Sequence, residues 1–185
     1  MDYRRIIPCL DTKNGRLVKG INFVNLKEIG DPAEAAAAYS AAGADELVFL
    51  DITATVEKRK TLIDAVRRTV ERITVPLTVG GGIKSLKDIE DLLAIGATKV
   101  SINPAAVLKP EFLQQAAEEF DSECVTVAID TRKSDQTPSG FEVMINGGRK
   151  GAGIDAVEWA RKVEDLGAGA ILPTSMDADG VQTGY

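Results

Sequence analysis

Asp11 and Asp130 each stand where an apolar run passes into a polar loop, RIIPCLD in the first case and CVTVAID in the second. Two carboxylates at strand ends can divide acid and base work if their surroundings separate their pKa values. Taken singly, a strand-end Asp is more often a packing or helix-capping residue. Recurrence at matching places in a repeat reverses that preference. RIIPCLDTKNG (5–15) aligns with CVTVAIDTRKS (124–134), and GADELVFLD (43–51) aligns with GAGAILPTS (167–175). The offsets are 119 and 124 residues. An extra five residues in the loop after the later strand account for the change.

Other residues could join such a pair. Lys19 lies in DTKNGRLVKG, read as the long loop after the first strand, where a lysine is as readily a solvated charge. Gly80-Gly81-Gly82 follows an apolar run and precedes a helix start. Such glycines let backbone N–H groups approach a phosphate, although they also serve tight turns. Asn103, closing KVSIN, could donate to the same phosphate. The stretch SMDADG (175–180) resembles an acidic metal loop but lacks the further ligands of an EF-hand loop, so no metal is expected there.

What the chain lacks narrows the chemistry. There is no histidine, which excludes Ser-His-Asp and Cys-His arrangements, His-ligated zinc and imidazole acid–base work. Alternation along the strands points Cys9 with Asp11 and Cys124 with Asp130, so both thiols are expected to be buried packing groups rather than a disulfide. The net charge of −6 and the absence of a basic run make nucleic acid and anionic membrane poor partners. The opening MDYRRIIPCLD has no long apolar core and no window approaches 18 apolar residues, so a soluble cytoplasmic protein is expected.

The elements that must position these residues alternate. Apolar runs at 4–10, 46–51, 77–81, 99–103, 124–130 and 170–175 read as strands covered on both faces. Asp31-Pro32-Ala33-Glu34 and, more weakly, Ser85-Leu86-Lys87-Asp88 are helix starts. Apolar stripes fall at Leu62/Val66/Val70/Ile73, Leu86/Ile89/Leu92/Leu93 and Ile154/Val157/Ala160/Val163. Glycines 43, 96 and 167 follow helical stretches, where helices favour a stop. The class is α/β with a parallel sheet. Pattern alone leaves a doubly wound sheet and a (βα)₈ barrel open, since 185 residues is short for the latter. Two homologous halves of about four units favour the barrel.

With RIIPCLD, VKG, LVFLDITATVEKRKT, TVGGGI, KVSIN, VAID and TSMDADG in order, the chain resembles the cyclase subunit of imidazole glycerol phosphate synthase. The match runs along essentially the whole chain, and FLDITA with VGGGI is its specific part. The resemblance implies one (βα)₈-type domain, with 1–120 as the first half-barrel and 121–185 as part of the second. It implies an enzyme of histidine biosynthesis that takes ammonia from a glutaminase subunit and a ribulosyl aminoimidazole-carboxamide nucleotide. The products are imidazole glycerol phosphate and aminoimidazole carboxamide ribotide, formed without metal or organic cofactor.

On the matching positions, the resemblance makes Asp11 and Asp130 the acid–base pair and Lys19 a loop residue closing over substrate. Asp51 supports the site. Gly82 and Asn103 hold one phosphate, and Asp179 with Gly180 approach the other. Arg5, Glu46 and Lys99 match three of four charged residues around the ammonia entrance; Ala170 stands at the fourth. Pro104 and Pro173 are milder departures, each removing a backbone donor. The family has seventh and eighth strands, whose loops complete the second phosphate site, and the sequence to Tyr185 holds neither. The chain alone is therefore expected to be a weak or inactive cyclase and to associate with itself through open barrel edges. Two other readings stay open: a non-catalytic barrel fragment or assembly module, and the sister isomerase that opens a ribose ring.

Overall fold

The computed structural model describes residues 4–21, 24–52 and 59–181. TATVEK (53–58), part of the motif quoted above, lies outside the described residues, as does Tyr185. The chain divides into two compact units, Met1–Lys19 with Lys27–Ser101, and Gly20–Leu26 with Ile102–Tyr185. Among the described residues no helix is long and apolar enough to cross a membrane.

The first unit holds β1 (Cys9–Lys13), which turns through Asn14-Gly15 into β2 (Arg16–Ile21), and most of the next strand, β3 (Val24–Gly30), with the ends of β2 and β3 from Gly20 to Leu26 counted in the second unit. Asn14 at φ 53° and Gly15 at φ 71° supply the two left-handed residues that a tight two-residue hairpin requires. Then come α1 (Pro32–Ala41), β4 (Leu47–Asp51), α2 (Arg59–Val70), β5 (Leu77–Gly80), α3 (Leu86–Ala94) and β6 (Lys99–Ile102). β1, β4, β5 and β6 run parallel.

Their register sorts side chains into rows. Leu10, Phe49, Val79 and Val100 are partners across the four strands and are all buried. Each such side chain contributes roughly 1.5–3 kcal/mol on burial, so this row fixes which face meets the core. The opposite face carries Asp11, Leu50, Gly80 and Ser101 in one row and Cys9, Val48, Thr78 and Lys99 in another. Asp11, Thr78, Lys99 and Ser101 thus share one side of the sheet, while Thr12 and Asp51 lie on the other.

Helix ends follow local chemistry. Asp31 caps α1 ahead of Pro32, and Ser85 with Asp88 forms a full reciprocal capping box on α3. Gly43 and Gly96 adopt positive φ, and the following alanines donate five residues back, Ala44 to Tyr39 O and Ala97 to Leu92 O, each at 3.1 Å.

The second unit holds α4 (Pro104–Leu108), α5 (Pro110–Phe120), a short 3₁₀ turn at Ser122–Cys124, β7 (Val125–Lys133), β8 (Phe141–Ile145), β9 (Lys150–Asp155), α6 (Ala156–Asp165) and β10 (Ala170–Ser175). β10 runs parallel to β7 from Ala170↔Thr126 to Ser175↔Thr131, while β8 and β9 are antiparallel additions. Val125, Val127 and Ile129 are buried on the face that meets α5 and α6. Pro104 and Pro110 each open a helix, where a missing N–H costs nothing.

The repeat seen in sequence is carried through the architecture. β1–β2–β3–α1–β4 and β7–β8–β9–α6–β10 are the same order of elements, and Gly167 ends α6 as Gly43 ends α1. The five extra residues lie in one place. A two-residue turn joins β1 to β2, and the seven residues 134–140 join β7 to β8.

Several expectations are corrected. The first strand begins at Cys9 rather than residue 4, because Pro8 has no N–H to give a ladder; Ile6 and Pro8 still accept from the Asp45 and Val48 amides. The segment after β1 is a pair of strands rather than a loop. α6 starts at Ala156 and buries Ala156, Trp159 and Val163, leaving Val157 exposed; Asp155 caps the helix and Ile154 belongs to β9. Cys9 is exposed and Cys124 half-buried. Cys9 opens β1 on its less covered face, and Cys124 lies in the 3₁₀ turn, where strand alternation does not hold.

Candidate active site

In the second unit the site forms around Asp130, near the end of the long strand β7. Register sets it opposite Thr174 of β10 on one side and Met144 of β8 on the other. Asn103 donates from Nδ2 to Asp130 Oδ2 at 2.9 Å. Burial pushes the Asp130 carboxyl above its ordinary value, and the Asp179 charge adds to this; hydrogen bonds from Asn103 and Thr174 pull the other way without cancelling it. Asp130 is thereby poised to carry and surrender a proton.

Asp179 and Gly180 belong to the turn after β10, where the Asp179 amide donates to Ser175 O at 3.0 Å. Asn103, Asp130 and Asp179, separate in sequence, are thus brought together. Thr174 joins them and was missed, because only the β7–β10 register identifies it. The Asn103 side-chain amide donates to Asp130 here.

In the first unit Asp11 is half-buried, in the row with Leu50, Gly80 and Ser101. Gly80 is needed there: a Cβ would lie 2.8 Å from Leu50 Cδ2 and 2.9 Å from Ser101 Cβ. Gly81 (φ 108°) and Gly82 (φ 67°) carry the chain out of β5, and a Cβ on Gly81 would overlap the Asp51 carbonyl. Ser101 Oγ is buried without a hydrogen-bond partner among the described residues. Asp51 pairs with Thr12, so alternation sets both on the face opposite Asp11. Lys19 is exposed on β2.

A second polar group lies at the strand starts of the same unit. Buried Glu46 accepts from Thr78 Oγ1 at 2.7 Å and Lys99 Nζ at 3.0 Å, with Arg5 Nη1 at 3.5 Å. Asp45 fixes the incoming segment by accepting from the Ile6 amide at 2.6 Å. Arg5, Glu46 and Lys99 are therefore one cluster, and Thr78 is an addition to it. Ala170 opens β10 in the second unit and is exposed. Among the described residues no three Cys, Asp or Glu side chains are grouped to hold a metal ion.

Residues 5–185 match the family model described as "Histidine biosynthesis protein". The chain belongs to this family. Three relatives share the name imidazole glycerol phosphate synthase subunit HisF. The chain is 59% identical to that of Prochlorococcus marinus over 181 residues, covering 98% of this chain and 71% of the relative. It is 59% identical to that of Clostridium botulinum over 182 residues and 60% identical to that of Microcystis aeruginosa over 183, in each case covering 98% of this chain and 72% of the relative. Members of the family with that name set the α/β alternation and the doubled element order described above in a histidine-biosynthesis context.

Proposed function

We propose that the chain is an imidazole glycerol phosphate synthase cyclase, closing the imidazole ring of a ribulosyl aminoimidazole-carboxamide nucleotide with ammonia. The observation that carries this reading is Asp130, a half-buried carboxyl shifted toward its protonated form and held by Asn103 in a chain of this family. Ring closure onto ammonia takes protons from nitrogen and delivers them to departing oxygen, so a proton carrier within the site is required. Asp130 supplies one, and Asp11, its counterpart in the repeat, supplies the other. Lys19 closes over the substrate and Asp51 supports the first half of the site from the far side of its sheet. The backbone at Gly82 receives one phosphate, and Asp179 with Gly180 the neighbourhood of the other. Asn103 holds Asp130 and borders the first phosphate.

The Glu46 cluster supports a second part of the reading. Arg5, Glu46 and Lys99 form the charged rim at which ammonia from a glutaminase partner enters, a role suggested by the subunit name that the relatives carry. No metal or organic cofactor takes part in the proposed reaction.

The test is direct. Purified chain is given the ribulosyl nucleotide and an ammonium salt without glutaminase, and both products are followed by mass spectrometry. Slow turnover is expected, and Asp130→Asn or Asp11→Asn should lower it about 10²–10⁴-fold, the usual share of a general acid or base. Turnover indifferent to both substitutions overturns the assignment. Turnover of the aminoaldose precursor without ammonia would favour the sister isomerase.

A further inference from the structure

Two aspartates outside the proposed chemistry occupy equivalent places in the repeat. Asp31 precedes α1, and Asp155 precedes α6, 124 residues later. Each gives one carboxylate oxygen to its helix. Asp31 Oδ1 accepts from the Ala33 amide at 2.8 Å, and Asp155 Oδ1 accepts from the Val157 and Glu158 amides at 2.9 and 3.1 Å. That much is ordinary capping.

The second oxygen leaves the helix in both cases. Asp155 Oδ2 accepts from the Ser139 amide at 2.7 Å, in the loop between β7 and β8. Asp31 Oδ2 meets Arg16 Nη1 at 3.5 Å and Arg68 Nη1 at 2.8 Å. Arg16 is the first residue of β2, just past the Asn14-Gly15 turn, and its Nε donates to Glu28 of β3 at 2.8 Å. One copy uses a backbone amide and the other a guanidinium. In both copies a helix-capping acid reaches the excursion that continues a strand bearing Asp11 or Asp130, Asp31 doing so beside its closer partner, Arg68 of α2.

Exposed ion pairs of the Arg16 kind contribute only ~0–1 kcal/mol, so stability is a weak reason for the arrangement. Its recurrence with different partners points to the place held rather than to the bond. We propose that Asp31 and Asp155 are positioning residues, each holding in place the β-excursion that extends a site strand, Asp31 also setting the segment that carries Lys19. The kinetic part of this rests on the function proposed above. Donation from Ser139 is the main cause that lowers the Asp155 carboxyl to about 2, so this tether stays ionised at any working pH.

Asparagine separates capping from tethering. It caps helices as well as aspartate does, but its amide nitrogen accepts nothing from Ser139 or the arginines. In Asp155→Asn, hydrogen exchange at 134–145 should quicken about tenfold with helix content retained, because the loop loses the bond from the Ser139 amide to Asp155. In the ammonia assay kcat should fall about tenfold with KM little changed, through misplacement of Asp130. Asp31→Asn should instead raise KM, through the Lys19 segment. Arg16→Ala leaves both caps intact and should repeat the Asp31→Asn effect if that variant folds poorly. Unchanged exchange in the variants overturns the tether, and faster exchange with unchanged kcat and KM overturns the positioning. Absence of turnover in the unsubstituted chain would sink the proposed function, while exchange would still decide the tether.

Discussion

The Asn103 side chain donates to Asp130 at 2.9 Å while its own Oδ1 is buried without a hydrogen-bond partner among the described residues. The bond favours the ionised carboxylate against the burial that opposes it. Replacing Asn103 by Ala should therefore raise the Asp130 pKa further. The acid limb of the pH profile of kcat/KM should move to higher pH. A hydrogen bond to a charged group is worth roughly 1.5–3 kcal/mol, so the rate near neutrality should fall about ten- to a hundredfold. An unmoved limb would show that Asn103 does not tune Asp130.

Asp130 also carries a stability signature. Its folded pKa lies above the ordinary value of 3.8, so the folded state binds the proton more tightly than the unfolded chain. Stability attributable to this group is greatest at pH values below 3.8 and is lost as pH rises through the shifted value. Asp130→Asn should thus raise Tm at neutral pH and make little difference in acid, while turnover collapses. Thermal melts at several pH values check the sign. A variant less stable at neutral pH than at low pH, relative to the parent, would contradict it.

Glu46 answers to three donors, two of them cationic. Glu46→Ala leaves a mostly buried ammonium and a buried hydroxyl without their acceptor, at a cost of about 2 kcal/mol. For a chain of this size that lowers Tm by roughly 4–8 °C. Under the proposed function, glutamine-dependent turnover with a glutaminase partner should suffer more than turnover with added ammonium. Equal losses in the two assays would detach the cluster from ammonia entry.

Gly81 and Gly43 make a matched comparison. Both have positive φ, 108° and 89°, but a Cβ at Gly43 meets nothing within 4 Å, whereas one at Gly81 overlaps Asp51 backbone. Gly43→Ala should cost about 1 kcal/mol for conformation alone. Gly81→Ala should cost about 2 kcal/mol or more and disturb the loop through Gly82. Urea midpoints with unchanged m-values provide the measurement. Equal costs would mean that the loop yields freely.

Much of the frame was legible because its signals are local. Asp31-Pro32 and Ser85-x-x-Asp88 start helices where they stand, and Gly43, Gly96 and Gly167 end them. The β2–β3 and β8–β9 strands carry weaker apolar signals, and only Asn14-Gly15 and Asn146-Gly147, hairpin-type dipeptides with positive φ throughout, mark their turns. The buried face of α6 differs from the Ile154/Val157/Ala160/Val163 stripe because Asp155 caps the helix and Ala156 begins it. Thr174 and Thr78 were invisible for another reason. Each gains its role from a partner more than 30 residues away, Asp130 or Glu46, and nothing in the adjoining sequence signals that.

The two excursions differ most in length at the first joint, Asn14-Gly15 in one copy and 134–140 in the other. Entry strand and exit helix are shared, so a chimera carrying either crossing on either scaffold meets the same two attachment points. The repeat has in this way kept a common pair of attachment points while the span between them varies.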